Sequence, residues 1–455
     1  MTKNDIYSAL AESADKCNKK RASLHNEASI LEYKSYTTLG KNGEVIWTTA
    51  FAEALKNHSI LNIPSSDEPY LIDGTIVVPS DRWIKADKDA VIKRADGFMF
   101  VMLRNENNAD GSHMPEHCDC RDANITLSGG IWDGSCDGYR HTPYDESETF
   151  YGVNACIFLN HADYISVKDV TVINSGEFAI QTGDITNAVF ENIYFHDCHA
   201  DGLHIGGKTH YVTAKNISGD VGDDLVALNA FDWERSSVNF GEIFCVLCEN
   251  LKLSPNSRYK AFRMLPGKYF YQDGTVSECK ITDVIVKNVR GINTFKLYFQ
   301  RDTHLIDEVS FYGAPGKADN IYFEDIEANI HSPIDALEPY LTGNPVNGHF
   351  SVFELGSEIG RVFFENICIA IDKDKNPMSF FIQAGAKSVR IGEREIFDAE
   401  LCSTVEEISL SNIRLNGNPF SAEDVKKYIC EIRFDDIYGD GKSSSTGKIK
   451  KIIIK

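Results

Sequence analysis

From about residue 70 onward Pro and Gly thin out, and short β-branched runs alternate with turns built from Asn, Asp and Gly. Such runs read as strands. They recur with one shared pattern, in "NITLSG" from 124, "YISVKDVTVINSG" from 164, "AVFENIYFHDC" from 188, "YVTAKNISGD" from 211 and "CENLKLS" from 248. The series continues with "ITDVIVKNV" from 281, "NIYFEDIEA" from 320, "RVFFENICI" from 361 and "EEISLSNIRL" from 406. Taking the apolar residue after Asn or Asp as anchor gives Val170, Ile193, Ile217, Leu251, Val289, Ile326, Ile367 and Ile413. The first three lie 23 and 24 residues apart, and later gaps widen. That period is too short for helical-pair repeats and lacks the leucine-rich signature; it suits one coil of a parallel β-helix, with loops inserted at coil corners. The pattern predicts an all-β, right-handed parallel β-helix of about ten coils over residues 71–440. Residues 1–70 are expected to form a helical segment and cap, and 441–455 a C-terminal tail. Residues 1–30, charged and helix-prone, suit a leading helix or an oligomer contact.

A second strand follows in each coil: "EFAIQTG" (177), "DGLHIGG" (201), "DLVALNA" (224), "AFRMLPG" (261), "TFKLYFQ" (294) and "VFELGSE" (352). Superposing Phe178, Leu203, Val226, Phe262, Phe295 and Phe353 as inward residues turns the residue after each to the outside. The outward column then reads Ala179, His204, Ala227, Arg263, Lys296, Glu354. Stacked coils space such residues about 4.8 Å apart. The same frame sets Asp201 above Asp224, with Asp223 one step earlier. One such residue is ordinarily a turn former or a solvated face. Three carboxylates within one coil step repel one another without structural return, and that points to chemistry.

Composition narrows the partners. The formal net charge of −21 argues against nucleic acid and anionic membranes, which need a basic footprint. No apolar run reaches the roughly 18 residues of a membrane span, and "MTKNDIYSALAES" lacks the order of a signal peptide. Twelve cysteines without a small-domain disulfide rhythm read as reduced, core-filling thiols, so the expected location is cytoplasmic.

The segment "HADGLHIGG…GDVGDDLVALN" resembles the polygalacturonase-like family 28 glycoside hydrolases. These are right-handed β-helix enzymes with an Asn-Thr-Asp motif followed one coil later by an Asp-Asp pair. Asp201 matches the first aspartate, with His199 in place of the asparagine, and Asp223 and Asp224 match the pair. "GGIWDGS" is similar to a turn common in that family, and "NIPSSDEPYLIDGTIVVPSDRWIKADKDAVIK" resembles the N-terminal cap of the wider pectate-lyase-like superfamily. Two motifs depart: Lys260 stands at the histidine of the family's Gly-His-Gly, and Lys296 and Tyr298 stand at the arginine and lysine of its Arg-Ile-Lys.

The resemblance implies a glycoside hydrolase with Asp224 as general acid, Asp201 and Asp223 positioning and deprotonating water, and inversion at the anomeric carbon. Inversion ordinarily needs acid and base about 6.5–9.5 Å apart. Crowded carboxyls suit this work because repulsion keeps one protonated while its neighbours stay ionised. Neither cofactor nor metal is required. His204, Lys260, Arg263, Lys296 and Trp233 are the expected substrate-binding residues, Trp233 with Phe231 as a stacking surface. A bulk polyanion would be repelled by the net charge, so a different or shorter sugar is expected. A homo-oligomer is compatible with the sequence.

"HMPEHCDC", His113 to Cys120, has metal-ligand residue types but no second ligand pair at zinc spacing. In "CVLC" the thiols of Cys245 and Cys248 lie three apart on a strand and so face opposite sides. Three alternatives remain: a polysaccharide lyase holding Ca²⁺ with Arg263 or Lys296 as base, a glycosyl-transferring enzyme that uses the same carboxylates while excluding water, and a non-catalytic carbohydrate-binding β-helix, which would need no carboxylate trio.

Overall fold

The computed structural model describes residues 1–108, 120–138, 155–232, 238–257, 259–271, 273–299, 313–330, 350–375, 377, 379–385, 389–391, 394–396, 403–431 and 447–455. Most strands join one large sheet of parallel pairings, coiled as a right-handed parallel β-helix. The eight anchors superpose: Ile193 pairs with Ile217, Ile217 with Leu251, Leu251 with Val289, Val289 with Ile326, Ile326 with Ile367 and Ile367 with Ile413. Val170 stands in the same frame, since Thr171 pairs with Tyr194.

The polar residue before each anchor forms the corner. Asp169, Asn192, Asn216, Asn250, Asn288, Asp325, Asn366 and Asn412 all have φ between 50° and 59°. Asn and Asp tolerate this left-handed conformation better than other side chains. Stacking then adds hydrogen bonds. Asn192 donates to Asp169 (2.7 Å), Asn216 to Asn192 (2.7 Å), Asn250 to Asn216 (2.7 Å) and Asn288 to Asn250 (2.5 Å). Below them Asn366 donates to Asp325 (2.9 Å) and Asn412 to Asn366 (2.8 Å). The polar positions that mark the repeat are therefore a ladder along one edge, and the apolar positions that follow fill the interior.

The stack overruns both expected boundaries. Glu27–Ser29 already pairs in parallel with Ile60–Ile63, and Gly447–Ile449 and Ile452–Ile454 still pair with Ser403–Leu415. Pairing with a neighbouring strand satisfies the backbone groups of these short runs. The upper end is covered by helix α2 (Thr48–Asn57), which buries Phe51, Ala54 and Leu55. Helix α1 (Lys3–Ala22) instead lies along the outside of the coils. There Ile6 and Leu10 pack on Cys245, Leu247 and Ile285. Each such side chain contributes about 1.5–3 kcal/mol by burial. Polar contacts register the helix: Ser13 Oγ donates to the Tyr211 carbonyl (3.2 Å), and Lys20 O accepts from Asn124 Nδ2 (3.2 Å).

Cys245 lies under α1 while Cys248 lines the interior, so the two thiols face opposite ways. The described cysteines are free, and burial pushes the thiols of Cys198, Cys245, Cys248 and Cys279 up to about 12, as expected of core filling. Among the described residues no helix is long and apolar enough to cross a membrane.

Candidate active site

One sheet of the helix carries the short strands Leu203–Gly206, Val226–Asn229, Ala261–Leu265, Thr294–Tyr298 and Phe350–Gly356. Its pairings align His204 with Ala227, Ala227 with Arg263, Arg263 with Lys296 and Lys296 with Glu354. The expected outward column is present except at its top, where Gln181 and not Ala179 pairs with His204. "EFAIQTG" offers two apolar residues two apart, and the inward place belongs to Ile180. Phe178 turns outward, and its ring stacks on the His204 imidazole at 4.3 Å and 17°.

The carboxylates sit on the turns that lead into two neighbouring strands. Glycine lets those turns close on each other. A Cβ on Gly222 would lie 2.2 Å from the His199 carbonyl oxygen, and one on Gly202 would lie 2.6 Å from the Phe195 ring and 2.7 Å from the Leu225 carbonyl oxygen. As a result one oxygen from each of Asp201, Asp223 and Asp224 falls within 4.8 Å of the others. Asp201 is held on both sides: its Oδ1 accepts from the Asp224 backbone N–H (3.1 Å), and its Oδ2 lies 2.7 Å from His204 Nδ1.

Asp224 is fully buried, and neither of its oxygens receives a well-aligned hydrogen bond from a described residue. Burial, reinforced by Asp223 and Asp201, pushes its carboxyl well above the usual carboxylate range; Arg263 and Lys296 pull the other way. Arg263 straddles the pair, with Nε 3.1 Å from Asp224 Oδ2 and Nη2 3.2 Å from Asp223 Oδ1. Its Nη2 also donates to Tyr259 Oη (3.0 Å). Burial opposes the guanidinium charge, but Asp224, Tyr259 and Asp223 outweigh it and hold Arg263 cationic. Lys296 lies over the rings of Tyr259 (5.2 Å) and Tyr298 (6.0 Å). A divalent cation could bridge three oxygens at this spacing, yet Arg263 already supplies positive charge to two of the carboxylates.

Thus Asp201, Asp223, Asp224, His204, Arg263 and Lys296 converge. His204 is only 1% exposed and faces carboxylates, with Nδ1 2.7 Å from Asp201 Oδ2. Lys260 is half-buried beside the strand, its carbonyl accepting from the N–H groups of Asn293 and Thr294, and it makes no ion pair with a described residue. Phe231 packs against Phe240, Tyr269 and Phe299, which makes it part of an aromatic cluster and no stacking platform. Trp233, His113 and His117 lie outside the described residues; Cys120 is described and exposed.

Two further residues join the site. Tyr259 precedes Lys260 in the turn one coil below Asp223, and its hydroxyl meets Arg263. Asp232 accepts from Asn229 Nδ2 (2.8 Å), with Oδ2 3.8 Å from His204 Nε2. "LNAFD" places an Asp three residues after a strand-end Asn, a local signal too common in turns to single it out.

No protein-family model matches the sequence, and no curated protein matches it. Among solved structures the chain is similar to a hyperthermoactive exopolygalacturonase from Thermotoga maritima, with a TM-score of 0.50 and 13% identity over 90% of this chain and 97% of that one. It is also similar to a family 28 exopolygalacturonase from Yersinia enterocolitica, with a TM-score of 0.52 and 10% identity over 94% of this chain and 78% of that one. At these identities the likeness is one of fold.

Proposed function

We propose that this protein is a glycoside hydrolase that cleaves an oligo- or polysaccharide by acid–base catalysis at Asp201, Asp223 and Asp224. The observation that carries the reading is the buried carboxyl of Asp224, pushed upward and set within 4.8 Å of two other carboxylates on the outer face of the coil. Asp224 gives its proton to the glycosidic oxygen as the bond from the anomeric carbon to that oxygen breaks. Water adds to the anomeric carbon, and a flanking carboxylate takes the water's proton. Proton count and charge are then restored by exchange with solvent. Arg263 and Lys296, aligned one coil apart, supply cations for a substrate carboxylate or hydroxyls. The solved structures with this fold include two exopolygalacturonases, which favours a sugar acid as one substrate class; the net charge of −21 favours short chains over bulk polyanion.

A lyase would need Arg263 or Lys296 to lose a proton and act as base, and Arg263 is held cationic by three neighbouring groups. The stereochemical course has two versions. The resemblance implies inversion, but carboxylate oxygens within 4.8 Å are closer than the inverting gap and nearer the about 5–5.5 Å of a retaining pair. In a retaining course Asp223, the most exposed of the three with a side chain 25% accessible, is the carboxylate placed to form a glycosyl ester. A panel of plant and microbial oligosaccharides, read by mass, tests the reaction: products that have gained water support hydrolysis, and unsaturated products overturn it. Proton NMR of the first-formed anomer on the substrate so found separates inversion from retention.

A further inference from the structure

His204 is held from both sides inside the site. Its imidazole is 1% exposed and stacked on Phe178. Nδ1 lies 2.7 Å from Asp201 Oδ2, and Nε2 points toward Asp232 Oδ2 at 3.8 Å. The coil above presents the neutral Gln181 and the coil below Ala227, so among the described residues the charged groups facing this imidazole are Asp201 and Asp232. Nε2 is buried and has no hydrogen bond with a described residue. A histidine packed this way spans two carboxylates on separate turns.

We propose that His204, clamped between Asp201 and Asp232, is a positioning residue: its Nδ1–H donates to the Asp201 carboxylate and locks it in one orientation, so that Asp201 is the fixed base of the trio. This rests on reading Asp201 as the water-activating carboxylate. The backbone N–H of Asp224 fixes the other oxygen of Asp201, so with His204 in place the carboxylate cannot rotate. Asp232 acts at one remove. An acceptor near Nε2 favours a proton there, and a proton on both nitrogens makes the Nδ1–H a charge-assisted donor. Because Asn can set its amide N–H where Nδ1 stands, His204→Asn keeps the bond without a titrating ring, whereas His204→Phe keeps the stack and loses the bond.

The test needs no substrate. Protein with aspartate labelled at the side-chain carboxyl carbon is titrated by NMR, with the Asp201 signal assigned by its loss in Asp201→Asn. In His204→Phe the Asp201 midpoint should rise by about one pH unit, the worth of one charge-assisted hydrogen bond. In His204→Asn it should stay within about 0.3 unit of the parent, by the same scale. Asp232→Asn should move it up by less than His204→Phe does. If His204→Phe is folded by thermal melting and its Asp201 midpoint does not move, the inference is overturned. If His204→Phe does not fold, the parent-like midpoint in His204→Asn and the rise in Asp232→Asn still decide it, and the absence of that rise overturns it. A midpoint that moves in a protein that turns over no saccharide leaves the positioning role standing and removes only the hydrolase reading. On an established substrate the acid limb of kcat/KM should shift with the Asp201 midpoint, a displacement that a purely packing role for His204 would not produce.

Discussion

Replacing Asp224 by Asn separates catalysis from folding. The substitution keeps the shape of the side chain and removes the transferable proton, so turnover should fall about 10²–10⁴-fold, the usual worth of general acid catalysis. Stability should move the opposite way. Burial raises the native carboxyl above its unfolded value, so between those two values the native state binds more protons than the unfolded state. Stability contributed at this site therefore declines as pH rises through that window, and each unit of elevation costs about 1.4 kcal/mol once both states are ionised. Asn carries no such cost. It does forfeit the contact with Arg263, which retains Asp223 and Tyr259, so the gain is partial.

Melting temperatures of parent and variant should coincide near pH 4 and diverge in favour of the variant toward pH 8. Each kcal/mol should be worth less than about 2–4 °C in a chain of this size. Parallel rate measurements on the substrate found by the panel complete the assay. Near-normal turnover in a folded Asp224→Asn would refute the catalytic assignment. A variant that melts lower at every pH would show that the carboxylate is a structural partner of Arg263 and that burial does not destabilise its ionised form.

Arg263→Gln removes the cation that holds the Asp224 carboxyl down; the basic limb of kcat/KM should move to higher pH and KM should rise, both visible in one pH–rate series. Activity should survive exhaustive chelation, since Arg263 already meets the carboxylates; loss of turnover to EDTA with recovery in Ca²⁺ would favour the lyase. Gly222→Ala would drive a Cβ to 2.2 Å from a backbone oxygen, so the Asp223–Asp224 turn must shift. It should cost about 1–3 kcal/mol by thermal melting and most of the activity. Asn250→Leu breaks the ladder at a residue with φ of 59°; it should destabilise by about 1–3 kcal/mol while leaving kcat nearly unchanged.

The coil period was legible because its signal is doubly enforced. An Asn at a left-handed corner is favoured by its own backbone and again by the Asn stacked on it, and the next residue must be apolar because it turns inward. The outward column was legible wherever one apolar pair fixed the frame, as in "HADGLHIGG" and "GDDLVALN". It slipped by two residues at "EFAIQTG", where Phe178 and Ile180 both fit an inward place and only packing on His204 decides between them. Tyr259 and Asp232 were not legible. Each belongs to the site through a contact with a residue from another strand or turn, Arg263 for one and His204 for the other, and nothing in the local spacing announces such contacts. The N-terminal boundary was missed for a related reason: Glu27–Ser29 is too short and too polar to read as a strand, and it is one because Ile60–Ile63 lies beside it.

Those longer-range contacts change what the trio means. On sequence alone the three carboxylates look like mutual repulsion awaiting a proton, and the arrangement would demand that one of them be neutral in the resting protein. Arg263 alters that account, since a guanidinium set against Asp223 and Asp224 relieves the repulsion that the pair would otherwise feel. What remains is burial. Asp223 keeps partial access to solvent, and Asp201 has a nitrogen partner at each oxygen, the Asp224 backbone N–H and His204 Nδ1. Asp224 is enclosed, and Arg263 Nε, 3.1 Å from its Oδ2, is a charged neighbour that is not aligned as a hydrogen-bond donor. A buried carboxyl without an aligned donor among the described residues is most easily accommodated as the neutral acid, so burial weighs more than crowding in raising it. The two Asp residues that stand side by side in the sequence share one guanidinium but are divided by their surroundings: the first keeps access to water, and the second is enclosed, where burial favours its neutral form.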